Sequence, residues 1–350
     1  MTEFPALVGD GIENPWNARV MIHAAEMFGW GCAFRDRKGL LETWSAASFE
    51  GEPPRITREE VATFHSPVVA FENAKGAADV YGFRPATRDR LGVVVGNERR
   101  GIAKDMLAIV DNAVQVPMVS RRINSLNVAA ASGVAMYYLA RGGGGRLQTR
   151  SEPNNNRPEL LLLGATDQFE LGSSVRSAAA FGWNRLFIED RAGVWFGCDR
   201  VTRSEGRGAA RRGRNPIRLV PTTDAHSFAF EEACVVTCSR DGVPIHRANL
   251  AKGPRQLVVI PDESAIRTSE EDLQRLGSAV RLVHLDVPRE EFVYHYRIIV
   301  TIALAEIARQ VGTRARRGRG RLRPPVYDRS LRLLMTEEGE TVFLDDLEAF

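Results

Sequence analysis

The sequence predicts an α/β fold built on a largely parallel sheet and present twice in tandem. Three observations predict it. Residues 5–30 and 158–183 align without a gap over 26 residues, apolar runs alternate with amphipathic stretches in both halves, and a Gly- and Asn-rich join separates the halves.

Each aligned copy opens with a short apolar strand and a loop, then runs through an alanine-containing amphipathic helix. The helices end in Phe28-Gly29-Trp30 and Phe181-Gly182-Trp183, where glycine suits a left-handed cap. Further along, Leu91-Gly92-Val93-Val94-Val95-Gly96-Asn97-Glu98 matches Gln256-Leu257-Val258-Val259-Ile260-Pro261-Asp262-Glu263, each an apolar strand entering a polar turn. Residues 114–139 then match residues 283–307, each a strand followed by a long apolar helix. The expected divisions are a first domain at 1–146, a linker at 147–157, a second domain at 158–325 and an acidic tail at 326–350.

Composition narrows the function classes. The chain has 350 residues, 44% of them hydrophobic, enough for one large core or two ordinary ones. With no apolar run near the roughly 20 residues that cross a bilayer, and no signal-like N-terminus, a cytoplasmic protein without a membrane partner is expected. Cys32, Cys198, Cys234 and Cys238 are too scattered for a disulfide framework. The last two sit in a strand-like run without a second ligand pair at zinc spacing, so no metal is expected.

The net charge is only +3, but arginine is concentrated in two segments. One holds Arg200, Arg203, Arg207, Arg211, Arg212, Arg214 and Arg218, and the other Arg314, Arg316, Arg317, Arg319, Arg321 and Arg323. Guanidinium forks suit phosphate oxygens, which makes Arg211, Arg212, Arg214, Arg316, Arg317 and Arg319 candidate nucleic-acid contacts; solvated loops are the alternative.

The motifs with chemical content lie in the first half. Gly96-Asn97-Glu98-Arg99-Arg100-Gly101-Ile102 follows a buried-looking strand, where open α/β sheets bind ligands, and Gly96 would let the backbone approach one. Its spacing is neither that of a dinucleotide loop nor of a Walker loop. Val114-Gln115-Val116-Pro117-Met118 reads as a strand ending in a proline turn, and Asn124-Ser125-Leu126-Asn127 opens an alanine-rich helix. Ser125 and Asn127 read equally well as helix N-caps.

Together these segments resemble the TrmH-type (SpoU) branch of the SPOUT methyltransferase superfamily, whose second motif matches Val95 to Ile102 and whose third matches Val116-Pro117-Met118 with Ser125-Leu126-Asn127. The resemblance implies two tandem α/β trefoil-knot domains forming an intramolecular pseudo-dimer, an arrangement compatible with a monomeric chain. It also implies S-adenosyl-L-methionine held near Gly96, Val116, Met118 and Leu126. The family's first motif has asparagine, arginine and glycine at intervals of six. The first copy supplies Asn17, His23 and Gly29, and the second Glu170, Arg176 and Gly182. Conversely, the second copy replaces Gly96 by Pro261 and Ser125-Leu126-Asn127 by Tyr294-His295-Tyr296. Its cofactor motifs are therefore degenerate.

The implied reaction is methyl transfer to a ribose 2′-hydroxyl of transfer or ribosomal RNA. Glu98, Ser125 and Asn127 are expected to place substrate or cofactor, with Arg176 gripping the phosphate beside the reacting ribose. Arginine is a poor base unless strongly perturbed. His23 titrates more suitably, and a structural place on its helix is the alternative. The rivals are a non-catalytic RNA-binding protein that keeps the fold and, disfavoured by the arginine segments, a small-molecule methyltransferase.

Overall fold

The computed structural model describes residues 5–44, 52–74, 76–120, 122–141, 149–150, 157–197, 199–211, 213–222, 230–238, 241–263 and 278–314. They form two compact units. The first holds the described residues up to Pro117 together with residues 135–141, and the second holds residues 118–134 and the described residues from 149 to 314.

In the first unit the chain order is β1 (Ala6–Asp10), α1 (Pro15–Phe28), β2 (Gly31–Arg35), α2 (Arg58–Phe64), β3 (Val68–Phe71), β4 (Ala78–Asp79), β5 (Gly92–Gly96), α3 (Lys104–Leu107) and β6 (Asn112–Gln115). Helix α4 (Val128–Arg141) begins in the second unit's share of the chain and ends in the first's. The six strands form one parallel sheet in the order β2-β1-β5-β3-β6-β4. Strands of a parallel sheet are covered on both faces, which is why β3 and most of β1 and β5 read as apolar runs.

The second unit adds β7 (Thr149–Arg150), β8 (Glu159–Leu163), α5 (Gln168–Ala180), β9 (Arg185–Ile188), α6 (Arg200–Ala209), β10 (Arg218–Pro221), β11 (Glu232–Thr237), β12 (Val243–Pro244), β13 (Gln256–Pro261), β14 (Val280–His284), α7 (Tyr296–Val311) and β15 (Thr313–Arg314). Its seven-stranded sheet is again parallel, ordered β10-β9-β8-β13-β11-β14-β12, and β7 pairs separately with β15. Remove β10 and the order repeats that of the first sheet strand for strand. The internal repeat is thus a repeat of topology as well as of sequence.

The helix boundaries have local causes. Asn14 accepts hydrogen bonds from the amides of Trp16 and Asn17 at the start of α1, where Pro15 occupies the first turn. Asp167 does the same for Phe169 and Glu170 on α5. Both helices stop at glycine in the left-handed region, Gly29 at φ 70° and Gly182 at φ 91°.

The grouping differs from the expected boundary near residue 146, because residues 118–134 belong to the second unit. Packing explains it: Met118, Ile123 and Leu126 cluster with Ala179, Ala180 and Ile217, and a Cβ on Gly133 would lie 2.7 Å from Ile298. Cys234 lies within β11 and Cys238 just beyond it. Among the described residues, no helix is long and apolar enough to cross a membrane, and no group of three or more His, Cys, Asp and Glu is placed to hold a metal ion.

Candidate active site

In the first unit the β5 strand ends in a loop that folds back on itself. Asn97 and Gly101 exchange two backbone hydrogen bonds of 3.0 Å, and a Cβ on Gly96 would lie 2.1 Å from the Gly101 carbonyl carbon. Only glycine fits there. The space that Gly96 leaves empty is therefore taken by the chain's own backbone, a use that the sequence reading did not foresee. The buried Asn97 side chain ties the loop to β1, donating to the Gly11 carbonyl at 2.7 Å while accepting from the Arg99 and Arg100 amides.

Glu98 is spent on the start of α1. Its carboxylate accepts from the amides of Glu13 and Asn14 at 3.2 Å and from the Asn17 side-chain amide at 2.9 Å. Asn17, the first-motif asparagine, and Glu98, from the second motif, thus hold each other. An anion there is also favoured by the helix dipole. Val116 is buried beyond the end of β6, and His23 lies half-buried on α1.

Two carboxyls were missed by sequence reasoning. Asp10, at the end of β1, is fully buried, accepts from the Ala103 amide at 2.6 Å and pairs with Arg35 at 3.3 Å. Glu72 follows β3, accepts from the Ile102 amide at 3.3 Å and backs Gly101, whose φ is 67°. Burial raises both carboxyls above the usual range. Their only signal was an acidic residue at or just past the end of an apolar run.

In the second unit the structure brings Arg176 and Ser125 together. The Arg176 guanidinium on α5 donates from Nε to the Ser125 carbonyl at 2.8 Å and from Nη2 to Ser125 Oγ at 2.6 Å. A first-motif arginine from the second repeat is thus clamped on a third-motif serine from the first. Burial, with the like charge of Arg211, pushes Arg176 down to about 9. Among the described residues no carboxylate pairs with it. Asn127 caps α4, accepting from the Ala129 and Ala130 amides at 3.0 and 3.3 Å. Met118 and Leu126 are half-buried in the apolar cluster beneath.

The corresponding positions of the second repeat are filled. Tyr296, 2% exposed, donates its hydroxyl to the Ile260 carbonyl at 2.6 Å, and Tyr294 donates to the Pro261 carbonyl at 2.8 Å. Glu170 grips Arg297 through two 2.7 Å contacts and accepts the Arg297 amide at 2.6 Å, with His295 at 3.5 Å. These charges hold its carboxyl at about 2 despite burial.

The arginine segment at 200–218 is not a plain loop, since Arg200, Arg203 and Arg207 lie on α6. Arg211, at φ 52°, and Arg214 are exposed. Arg212, Arg316, Arg317 and Arg319 lie outside the described residues.

Residues 5–137 match the profile of the SpoU rRNA Methylase family. The first repeat is similar to the SpoU methylases. An uncharacterised tRNA/rRNA methyltransferase of Archaeoglobus fulgidus is 27% identical over 150 residues, covering 38% of this chain and 62% of that protein. This chain therefore spans under two thirds of that relative's length. Among solved structures, one described as giving insights into 2-OH methylation of C/U34 on tRNA is 25% identical, covers 40% of this chain and 95% of its own, and has a TM-score of 0.34. The SpoU methyltransferase AviRb of Streptomyces viridochromogenes, solved with AdoMet, is 21% identical with coverages of 40% and 58% and a TM-score of 0.33.

Proposed function

We propose that this chain transfers the methyl group of S-adenosylmethionine to a ribose 2′-hydroxyl of RNA, using the SpoU-like repeat together with Arg176. The reading includes the pairing of the two repeats as an intramolecular pseudo-dimer. The observation that carries it is the clamp of Arg176 on Ser125, which joins a first-motif residue of one repeat to a third-motif residue of the other.

The residues fit one cofactor. In the second repeat two phenols consume the carbonyls at the end of β13, whereas the aligned Ser125 and Asn127 are small, with their polar groups engaged by Arg176 and by the start of α4. The bound cofactor supplies an electrophilic methyl on sulfonium. The chain's own residues do the rest. Glu98 and Asn97 hold the loop after β5 in one shape, so the cofactor meets a backbone that is already ordered. Arg176, oriented by its two hydrogen bonds to Ser125, is suited to hold by its charge the phosphate beside the attacking hydroxyl.

Full chain, labelled cofactor and total RNA test the reading. Label should enter RNA at a position resistant to alkaline cleavage, because a 2′-O-methyl group removes the internal nucleophile. Arg176→Ala should abolish incorporation while leaving cofactor affinity nearly unchanged. Label on a base, or none with wild type, would overturn the proposal.

A further inference from the structure

Beside α6 the second unit has a cavity of about 350 Å³, lined by Trp195, Phe196, Arg207, Asn215, Ile217 and Leu219. This lies at the small end of the range for small-ligand sites, roughly 300–1,000 Å³. Its walls combine one indole and one phenyl ring with a guanidinium.

The aromatic wall is built. Asp190 accepts three successive amides, those of Val194, Trp195 and Phe196, at 2.9, 2.7 and 2.8 Å. Arg207 donates to the Trp195 carbonyl at 3.4 Å, and Arg203 to the Gly197 carbonyl at 2.9 Å. Gly193 and Gly197 close the turn so tightly that a Cβ on Gly197 would lie 2.5 Å from the Gly193 oxygen. A loop held at this many points nevertheless leaves Phe196 51% exposed. With the half-buried Trp195 beside it in the same cavity wall, Phe196 forms an aromatic patch rather than a single exposed ring, and such a patch beside a cavity marks a contact site.

The charge around it selects the occupant. Arg200, Arg211, Arg214 and Arg218 are exposed on the same stretch of chain, with Arg203 and Arg207 partly so. An aromatic wall with Arg207 in its lining, Arg203 bonded to the Gly197 carbonyl and further arginines on the neighbouring stretch of chain matches the chemistry of an unpaired nucleotide, whose base stacks while its phosphate is neutralised. The cavity also touches the methyl-transfer apparatus along the chain: Val175 and Ala210 line it, and their neighbours Arg176 and Arg211 are the two cations that repel one another.

We infer that this cavity is a nucleotide subsite in which an unpaired base of the RNA stacks on Trp195 and Phe196. The inference rests on the RNA reading above and names a recognition site outside the family motifs. It makes single-stranded or splayed nucleotides, rather than a continuous duplex, the preferred ligand.

Fluorescence anisotropy of the full chain, without cofactor, tests it with an unstructured oligouridylate of about ten nucleotides and an RNA duplex as probes. Phe196→Ala should weaken binding of the single strand by roughly ten-fold, the usual scale for one lost stack, and Phe196→Trp should restore it. The dependence on salt should not change, because the phosphate contacts remain. Unchanged affinity in Phe196→Ala, or an equal loss on duplex, whose base faces are covered, would overturn the subsite. Failure of wild type to bind either RNA would instead overturn the RNA reading itself.

Discussion

Glu170→Gln offers a direct measure of what the second repeat gained where the family motif has asparagine. The Glu170 side chain is 13% exposed and that of Arg297 9%, and the carboxylate satisfies both the guanidinium and the first amide of α7. Its carboxyl is held at about 2 against the ordinary 4.5, which at 1.36 kcal/mol per pH unit is about 3 kcal/mol of stability. Because the folded value is depressed, this contribution is fully present above pH 4.5 and is lost as pH falls from there toward 2. Glutamine keeps an acceptor for the amide but leaves the Arg297 charge buried without a counterion, so the variant should be destabilised by roughly 3–5 kcal/mol at pH 7. Urea unfolding at pH 7 and at steps below pH 4.5 reads both effects. The variant should show a shallower loss in the acid range, and Glu170→Gln combined with Arg297→Met should recover most of the loss at pH 7. A single variant within about 1 kcal/mol of wild type, or an unchanged acid slope, would refute this account of the pair.

Three further outcomes are expected. With Arg176 holding a phosphate by its charge, methyl transfer should fall as pH rises through about 9, and Arg211→Ala, which removes the like charge that depresses Arg176, should move that fall to higher pH; a profile flat from pH 8 to 10 counts against the role. Calorimetric titration should find one cofactor per chain, since the second repeat fills its counterpart with Tyr294 and Tyr296, and a value near two would show that it binds after all. Replacing Arg211, Arg212 and Arg214 together should flatten the salt dependence of RNA binding, whereas an unaltered slope would assign them to solvated surface.

How much was legible in the sequence depends on whether a feature is local. The apolar runs of β1, β5, β8 and β13 announced a parallel sheet because both faces of those strands are covered, and the glycine caps at Gly29 and Gly182 are a backbone requirement. The central strand β3 carried no motif and went unremarked, whereas β11 was read as a strand-like run only because Cys234 and Cys238 drew attention to it. Helix α6 was hidden by composition, with three arginines and two glycines in ten residues. Asp199 caps it, and Gly172 of α5 lets it pack closely, a Cβ on Gly172 lying 2.2 Å from the Gly206 oxygen. Asn127 was read as a cap or a site residue, and its cap bonds are in place. The bond from Asn17 to Glu98 spans 81 positions, and that from Arg176 to Ser125 spans 51. No periodicity in the sequence encodes such pairings.

The contrast between the part-buried Arg176 and the buried Arg297 of the second unit gives the sharpest separation of structure from function. Arg297 is buried and answered by Glu170, as a structural cation should be. Arg176 is answered, among the described residues, only by the neutral hydroxyl and carbonyl of Ser125, while Arg211 repels it. The fold therefore holds Arg176 against its preference for water, which lowers stability unless the site uses the charge. Arg176→Met keeps the stem and removes the charge. It loses two hydrogen bonds, each worth about 1–3 kcal/mol for a charged donor, and relieves desolvation of at least similar size. The variant should be as stable as wild type, or more stable by up to roughly 2 kcal/mol, in urea unfolding at pH 7, and should have lost methyl transfer. Glu170→Gln should do the reverse, losing stability while the surviving folded fraction keeps its cofactor affinity. A loss of more than about 2 kcal/mol in Arg176→Met would make Arg176 a structural residue like Arg297 and would remove the ground for placing it in the reaction.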